Sequence, residues 1–342
     1  MHIIDSHFHY WPRQMFERLN RKGQFPYAEP NAAGGYDYWR REGDGGAVNS
    51  WAAWHDLDRQ FEYLEGLGPH RIDVVCSIGP LSVHFSDVSP EQGREDALWW
   101  NEEMASLQRK YAGRLWATAA VPLQDTGMAL EVLDHAILDL GLIGVNVPGS
   151  IGPDPNIDAP RLEPFYARVA ELGVPMFIHP TDAVFAKMLG GYGGALHLSL
   201  GRVIEVSVAA SRLVLSGIIA RNPGLKVVMS HTGGALPYQA GRMDKNSGAA
   251  QLPKPFSEYL KGMYTDTVSP HSAGMGFAID YFGIDNVMYG SDYPCWDPAI
   301  ALRLLEELSL TDEHKAKLFR ENARRILGLD AASSADQVRR AG

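Results

Sequence analysis

Four histidines and one aspartate stand at the ends of apolar segments of this 342-residue sequence, and these residue types bind metal ions. The first segment, IIDSHFHYWP, contains His7 and His9 two positions apart. Side chains alternate along a strand, so both imidazoles project from the same face, together with Asp5. Two neutral imidazoles on one face suit a divalent ion. A His-x-His pair alone is a weak signal, and the rest of the chain must supply further ligands.

Three more candidate residues lie at the ends of later apolar segments. His179 lies in FIHP, His231 in SHTGG and Asp292 in GSDYP. A single buried histidine is more often a hydrogen-bonded core residue than a metal ligand. The occurrence of all these residues at segment ends favours a site for Zn²⁺ or a similar divalent ion, with an open position for water or substrate.

Eight short apolar segments are the candidate strands that would position these residues. They span residues 2–9, 73–79, 115–123, 141–149, 175–180, 226–234, 263–269 and 286–294. Between them, apolar residues recur at spacings of three and four, which is typical of helices, and several of these helical patterns stop at glycine. The clearest helical patterns cover residues 91–113, 128–141 and 162–173.

The alternation of strands and helices predicts the fold class. Near-continuous apolar strands separated by helices indicate a parallel sheet that is covered on both faces. Eight such strands predict an α/β fold, a (β/α)8 TIM barrel whose active site lies at the carboxyl ends of the strands. A doubly wound open sheet is the alternative, but the Gly-rich phosphate turn that often follows an early strand of such sheets is missing.

The length of the chain allows one large α/β domain or two smaller ones. The single series of strands and helices predicts one domain over residues 1–330, followed by a loosely held tail at 331–342. Residues 11–55, rich in Gly, Trp and Arg, predict a small insertion over the top of the barrel after the first strand. Residues 183–201 contain five glycines and predict a mobile loop that leads into a helix.

Charge and composition exclude several classes of protein. The net charge of −10 and the lack of a basic patch argue against a nucleic-acid partner. No apolar run approaches the length of about 18 residues that a membrane span needs, so no membrane partner is expected. Only Cys76 and Cys295 occur, which excludes a disulfide framework and favours a reducing compartment. Without a signal-like leader at the N-terminus, we expect a cytoplasmic protein.

The motifs resemble the amidohydrolase superfamily, in the branch that contains 2-amino-3-carboxymuconate-6-semialdehyde decarboxylase and the γ-resorcylate-type decarboxylases. The resemblance covers about residues 1–330 and rests on the segments IDSHFH, FIHP, SHTGGALPYQAGR and YTDTVS…VMYGSDYP. It implies a single metal ion with four ligands, namely His7, His9, His179 and Asp292. It also implies that His231 stands just outside these ligands as an acid/base group that contacts the substrate.

Two arginines extend the resemblance to substrate binding and assembly. Arg242 matches an arginine that, in the semialdehyde decarboxylase, reaches into the site of the neighbouring subunit and holds a substrate carboxylate. This match implies a homodimer or a higher homo-oligomer. Arg59 stands where that family places a second carboxylate-binding arginine. The alternative for Arg59 is a helix-surface charge, and for Arg242 either such a charge or an ion pair with Asp244. The planar guanidinium fork suits a carboxylate better than lysine does.

Two features of the sequence bear on the metal. The fourth predicted strand, GLIGVNVPG, lacks the lysine that bridges two metals in binuclear members of the superfamily, which favours one ion. Some members have glutamate where this chain has His7, and those often use Mn²⁺. Histidine at this position therefore favours Zn²⁺, with Mn²⁺ as the second possibility. No organic cofactor is expected.

The predicted function is metal-dependent, non-oxidative decarboxylation of a small carboxylic acid, either a carboxylated aromatic or an unsaturated ring-fission acid. A proton must reach the carbon that loses CO₂, and either His231 or Asp292 would deliver it. The alternative is a metal-dependent hydrolase of a C–C, ester, lactone or amide bond that uses the same site. A metal-binding scaffold without activity is a third hypothesis, and a missing ligand or acid/base residue would mark it.

Overall fold

The computed structural model of the chain describes residues 1–20, 24–39, 48–151, 156–181 and 189–329. The predicted tail at 331–342 lies outside these residues. Parts of the predicted insertion, at 21–23 and 40–47, and of the predicted glycine-rich loop, at 183–188, lie outside them as well. The boundary between domain and tail at residue 330 stays a prediction.

Eight parallel strands form the central sheet and follow one another around it in chain order. They are β1 (His2–His9), β2 (Arg71–Ser77), β3 (Leu115–Ala119), β4 (Gly144–Pro148), β5 (Pro175–His179), β6 (Lys226–Met229), β7 (Tyr264–Asp266) and β8 (Val287–Met288). Each falls within or overlaps a segment that the apolar pattern predicted. The sequence-based prediction of a (β/α)8 barrel is confirmed.

The sheet closes where its first and last strands meet. The amide of His9 donates to the carbonyl of Tyr293 at 2.8 Å, and the amide of Asp292 donates to the carbonyl of His7 at 2.8 Å. A parallel bridge joins Phe8 to Tyr293. Closure therefore brings the His-x-His pair beside the aspartate that follows the last strand.

Helices fill most of the connections between the strands. In the described ranges, those of six or more residues are Arg13–Arg18, Leu57–Glu65, Pro90–Lys110, Thr126–Asp134, Glu163–Leu172, Arg202–Leu215, Leu236–Asn246, Phe256–Lys261, Ser272–Phe282, Pro298–Glu306 and Asn322–Leu327. Side chains of Asp56, Ser89 and Asp125 cap the amino ends of their helices by accepting a first-turn amide. Gly173, at φ 68°, ends its helix in the left-handed conformation that glycine adopts easily. No helix in the described ranges has both the length and the apolar character to cross a bilayer.

The interior of the barrel is filled by a layer of apolar side chains. Five strands each contribute one buried residue to it, namely Ile4, Val75, Phe177, Val228 and Met288. The C-terminal helix Asn322–Leu327 packs Ala323 and Ile326 against the same layer. Side chains alternate along a strand, so His179 points into the barrel interior on the same side as Phe177. It lies one layer closer to the carboxyl ends of the strands.

Between β1 and β2 the chain forms a separate three-stranded antiparallel sheet. Its strands are Tyr27–Pro30, Gly34–Trp39 and Val48–Trp51. The segment reaches the barrel through Trp11, whose ring stacks on His9 with centroids 5.6 Å apart and also contacts Trp54 at 5.0 Å. The placement of this insertion over the top of the barrel stays a prediction.

The prediction of a loop that extends to residue 201 is wrong at its end. Residues His197–Gly201 form a wide helical turn that continues directly into Arg202–Leu215. Gly201 is buried there, and a Cβ at this position would lie 3.0 Å from Cδ1 of Leu189. The glycine therefore permits close packing within a helix, and its presence does not signal a loop.

Candidate metal centre

Four side chains of ligand type meet at the carboxyl ends of the strands. They belong to His7 and His9 on β1, His179 at the end of β5 and Asp292 shortly after β8. One ligand atom from each lies within 4.8 Å of the others, and all four residues are buried. Oδ1 of Asp292 lies 3.0 Å from Nε2 of His9 and 3.4 Å from Nε2 of His7. The structure thus brings together the four side chains that the resemblance implied as ligands.

A hydrogen bond at Nδ1 orients each of the three imidazoles. Nδ1 of His7 lies 2.6 Å from Oδ2 of Asp266. Nδ1 of His9 lies 3.1 Å from the carbonyl oxygen of Ser77, and Nδ1 of His179 lies 2.8 Å from the carbonyl oxygen of Pro180. Because a carboxylate or a carbonyl only accepts, each ring donates through Nδ1 and directs Nε2 toward the other ligands. This arrangement is typical of metal-bound histidines.

Two buried polar atoms of the cluster face each other at 3.0 Å without forming a hydrogen bond. Among the described residues, Nε2 of His9 and Oδ1 of Asp292 make no hydrogen bond. Buried polar atoms without partners are costly, so these atoms are suited to contacts with a bound group. Three imidazoles and one carboxylate form a donor set that fits Zn²⁺ and related divalent transition-metal ions.

Charge in the cluster follows from burial and from the neighbouring groups. Burial lowers the pKa of His179 and of His9, which keeps both rings neutral. Burial raises the pKa of Asp292, but the surrounding histidines, His231 foremost, outweigh it and hold that pKa well below its usual range. Burial also lowers the pKa of His7, yet Asp266 and Asp292 outweigh this effect and raise it to about 10. His7 is therefore expected to release a proton when a metal ion binds.

His231 lies beside the cluster on a strained turn. Its Nε2 is 3.6 Å from Oδ2 of Asp292, and its ring centroid is 5.2 Å from that of His7. His231, Thr232 and Asp292 have φ values of 56°, 55° and 62°, in the left-handed region that residues other than glycine rarely adopt. Such strain costs about 1–3 kcal/mol per residue and is concentrated at functional sites. The predicted strand 226–234 ends early, at Met229, because the turn at His231 and Thr232 departs from extended geometry.

Two glycines give the ligands room. Gly79 has φ 58°, and a Cβ there would lie 2.3 Å from Cε1 of His9. A Cβ on Gly290 would lie 2.8 Å from Cβ of His7. Any side chain at either position would displace a ligand, so close approach of the backbone requires glycine.

Asp5 connects the first strand to the turn that carries Asp292. Its Oδ1 accepts the amides of His7 at 3.1 Å and Ser291 at 3.0 Å, and its Oδ2 accepts the hydroxyl of Ser291. Burial outweighs these hydrogen bonds and raises the pKa of Asp5 to about 7. Asp5 does not belong to the group of four candidate ligands. It positions two of them, because it holds the backbone amides of His7 and of Ser291, the residue before Asp292.

Arg59 lies outside the ligand cluster, on the helix Leu57–Glu65, and its side chain is exposed. In the described part of the chain its guanidinium makes no hydrogen bond or ion pair with the cluster. Burial and Asp297 raise the pKa of Tyr293, and Arg59 opposes this rise. The arginine therefore lies within electrostatic range of the residue that follows the metal-site aspartate.

Arg242 also lies outside the cluster, on the helix Leu236–Asn246, with an exposed side chain. The ion pair with Asp244 that the sequence left open is not found among the described residues. Asp244 instead accepts the amide of Ser257 through Oδ1 at 2.8 Å.

Asp266 is the functional residue that sequence reasoning missed. It ends β7 within the motif YTDTVS, is 2% exposed, and contacts His7 directly. Burial raises its pKa, but His7 outweighs this and lowers it overall, so the carboxylate is ionised. The available signal was an aspartate at the carboxyl end of a predicted barrel strand, which is where site residues of this fold lie.

A closed parallel barrel whose strand ends carry three histidines and an aspartate around one candidate ion site defines a class of metal-dependent enzymes. The chain belongs to the amidohydrolase family, whose model matches residues 4–329. Among curated relatives, the γ-resorcylate decarboxylase of Rhizobium sp. strain MTP-10005 is 30% identical over 293 residues, which cover 81% of this chain and 89% of the relative.

Two further comparisons agree with this assignment. The 2-amino-3-carboxymuconate-6-semialdehyde decarboxylase of Dictyostelium discoideum is 27% identical over 278 residues, or 78% of this chain and 76% of the relative. The crystal structure of a dihydroxybenzoic acid decarboxylase from Polaromonas sp. JS666, with bound manganese and an inhibitor, shares the fold at a TM-score of 0.78. It is 21% identical in sequence, and the match covers 97% of this chain and 98% of that chain.

Proposed function

We propose that this protein is a metal-dependent, non-oxidative decarboxylase that acts on a carboxylated aromatic or unsaturated ring-fission acid. The observation that carries the proposal is His231, a buried imidazole beside the ligand cluster, neither nitrogen of which makes a hydrogen bond among the described residues, with Nε2 3.6 Å from the charge of Asp292. A free acid/base group next to a metal centre is what proton delivery to a substrate carbon requires. The decarboxylases among the relatives support the same reaction.

We further propose one divalent ion per chain, Zn²⁺ in preference to Mn²⁺, since three imidazoles and one carboxylate match the donor preference of zinc. The proposed ligands are His7, His9, His179 and Asp292. When bound, the ion supplies Lewis-acid polarisation of substrate oxygens and orients the carboxylate. The manganese in the Polaromonas enzyme makes Mn²⁺ the alternative that metal analysis must exclude.

The proton chemistry is assigned to groups of the chain itself. When the bond between the substrate carbon and its carboxylate breaks, CO₂ leaves. The electron pair of that bond stays on the substrate carbon that carried the carboxylate. His231 delivers a proton to that carbon, and the C–H bond replaces the C–C bond. Asp292, whose Oδ2 lies 3.6 Å from Nε2 of His231, holds this imidazole by its charge. Because its pKa lies well below the usual range, Asp292 is the weaker of the two candidate donors.

Carbon dioxide release tests the reaction. The zinc-loaded protein, incubated in D₂O with γ-resorcylate and related aromatic acids, is expected to release one CO₂ per turnover. The product should carry one deuterium at the former carboxyl position, which mass spectrometry detects. Protein stripped with a chelator serves as the control and should be inactive. Addition of water to give two organic products, without CO₂, would support a hydrolase, and inactivity of metal-loaded protein on the whole panel would contradict the proposal.

Arg59 and Arg242 are proposed to bind substrate carboxylates, Arg242 from a neighbouring subunit of a homodimer. The observation that supports this role is the exposed Arg242 side chain, which has no ion-pair partner within the described ranges. A guanidinium so placed is available to a second copy of the chain, and a two-fold arrangement would complete both sites equally.

Mixed dimers test this assembly. A chain with His231→Ala and a chain with Arg242→Ala are each expected to be inactive alone. Co-expressed, they should form heterodimers with one intact composite site and recover up to about half of the wild-type activity per dimer. Arg303→Ala, which removes an arginine from a different helix, serves as the matched control and should be active alone. A confirmed heterodimer without any recovery would show that each subunit builds its site alone.

A further inference from the structure

We propose that Asp266 is a positioning residue that holds both the metal ligand His7 and the turn that carries His231. The inference rests on the metal site proposed above. Asp266 ends β7, which lies between β6 and β8 in the barrel, and is 2% exposed. One of its carboxylate oxygens contacts the candidate ligand His7, and the other accepts the amide of Thr232 in the turn that carries His231.

The first oxygen sets the orientation of His7. Oδ2 of Asp266 lies 2.6 Å from Nδ1 of His7. A carboxylate accepts and does not donate, so the proton stays on Nδ1 and Nε2 is directed toward the other ligands. His9 and His179 make the equivalent hydrogen bond to backbone carbonyls, which no substitution removes. His7 is held by a side chain, and this makes the orientation of this ligand dependent on one residue.

The second oxygen holds the turn after β6. Oδ1 of Asp266 accepts the amide of Thr232 at 3.2 Å and the amide of Val268 at 3.0 Å. The Thr232 amide belongs to the peptide that follows His231, and both residues have positive φ. A strained conformation of this kind persists only where surrounding contacts hold it. One carboxylate therefore links a metal ligand to the candidate proton donor.

Substitution by asparagine separates the two contacts. In Asp266→Asn, the amide oxygen still accepts from Thr232, but the amide nitrogen faces Nδ1 of His7, so two donors oppose each other. His7 must then turn or move its proton to Nε2, and either change removes a ligand atom from the site. Loss of such an outer hydrogen bond typically lowers metal affinity about 10- to 100-fold. We expect a decrease of that size in Zn²⁺ affinity, measured by titration against a competing chelator.

A matched control lies at the other end of the barrel. Asp73 is a buried strand aspartate whose Oδ2 lies 2.5 Å from Nε2 of His2, at the opposite end of β1. Asp73→Asn disrupts a comparable pair, and its Zn²⁺ affinity is expected to equal that of the wild type. Thermal unfolding of the metal-free proteins, recorded in parallel, shows whether either variant loosens the fold.

Each outcome decides for or against the inference. Weak Zn²⁺ binding by Asp266→Asn with an unchanged Asp73→Asn supports it, and unchanged or equally weakened binding by both variants overturns it. If Asp266→Asn fails to fold, histidine-selective ¹⁵N spectra of the zinc-loaded wild type decide. His7 protonated at Nδ1 supports the inference, and His7 protonated at Nε2 overturns it. A wild-type protein that binds no Zn²⁺ would contradict the proposed function itself, which is a distinguishable result.

Discussion

Replacement of His179 by alanine is expected to remove the metal ion and, with it, all measurable turnover. His179 supplies one of three imidazoles in a fully buried group of four ligand side chains, and its Nε2 lies 3.2 Å from Nε2 of His7. A site that loses one of four protein ligands rarely keeps its ion, because the remaining groups no longer offset the cost of stripping water from it. Elemental analysis should find about one equivalent of Zn²⁺ or Mn²⁺ in the wild type and close to none in the variant. His9→Ala should behave in the same way.

The matched control for this loss is His135→Ala. His135 lies outside the barrel and pairs with Glu102 and Asp139 on the protein surface, so its removal should leave the metal content unchanged. Circular dichroism checks that all variants are folded. Two equivalents of metal in the wild type would contradict the mononuclear assignment, as would none in protein prepared with excess metal.

His231→Ala should abolish turnover and leave the metal content near normal. The imidazole lies outside the group of four candidate ligands, and neither of its nitrogens makes a hydrogen bond among the described residues. Its removal is therefore expected to remove the proton donor and to leave the candidate ligands in place. General acid catalysis of this kind contributes typically about 10²- to 10⁴-fold to the rate. The measurements are CO₂ release under saturating substrate and the metal content of the same sample.

Imidazole added to the solution provides a sharper test of His231→Ala. The substitution leaves a buried space beside Asp292, and free imidazole that enters it should restore part of the activity. The larger variant His231→Phe fills the same space and should show no rescue. Loss of the metal from His231→Ala would instead identify His231 as a ligand, and the proton would then have to come from Asp292.

Much of the fold was predictable because the strand signal is local. Runs such as those ending in His9 and His179 are apolar and rich in β-branched or aromatic residues, and they recur between helical patterns. The ends of the strands were less predictable. The segment 286–294 was expected to be a strand, yet β8 is only Val287–Met288. The residues after it pair irregularly with β1 through a turn in which Asp292 has positive φ, and apolar periodicity does not report such a turn.

The meeting of ligand-type residues at one rim was also predictable, for a topological reason, whereas the choice of four candidate ligands came from the family resemblance. In a closed parallel barrel every strand ends on the same rim, so residues far apart in the chain converge there if each stands at the end of its own strand. His7, His179 and Asp292 satisfy this condition. Arg59 and Arg242 lie on helices and not on strand ends. Their proposed roles depend on contacts with a substrate and with a second subunit.

The sequence by itself determined the eight strands and their parallel closure, since both follow from local pattern and chain order, and its resemblance to the amidohydrolase superfamily implied the four candidate ligands. Only the tertiary structure decided which nitrogen each imidazole presents. The pair of His7 and Asp266 joins residues 259 positions apart, and the distance between them depends on how the barrel closes. Hydrogen-bond partners at such separations are chosen by the geometry of closure, which no local pattern of residues encodes.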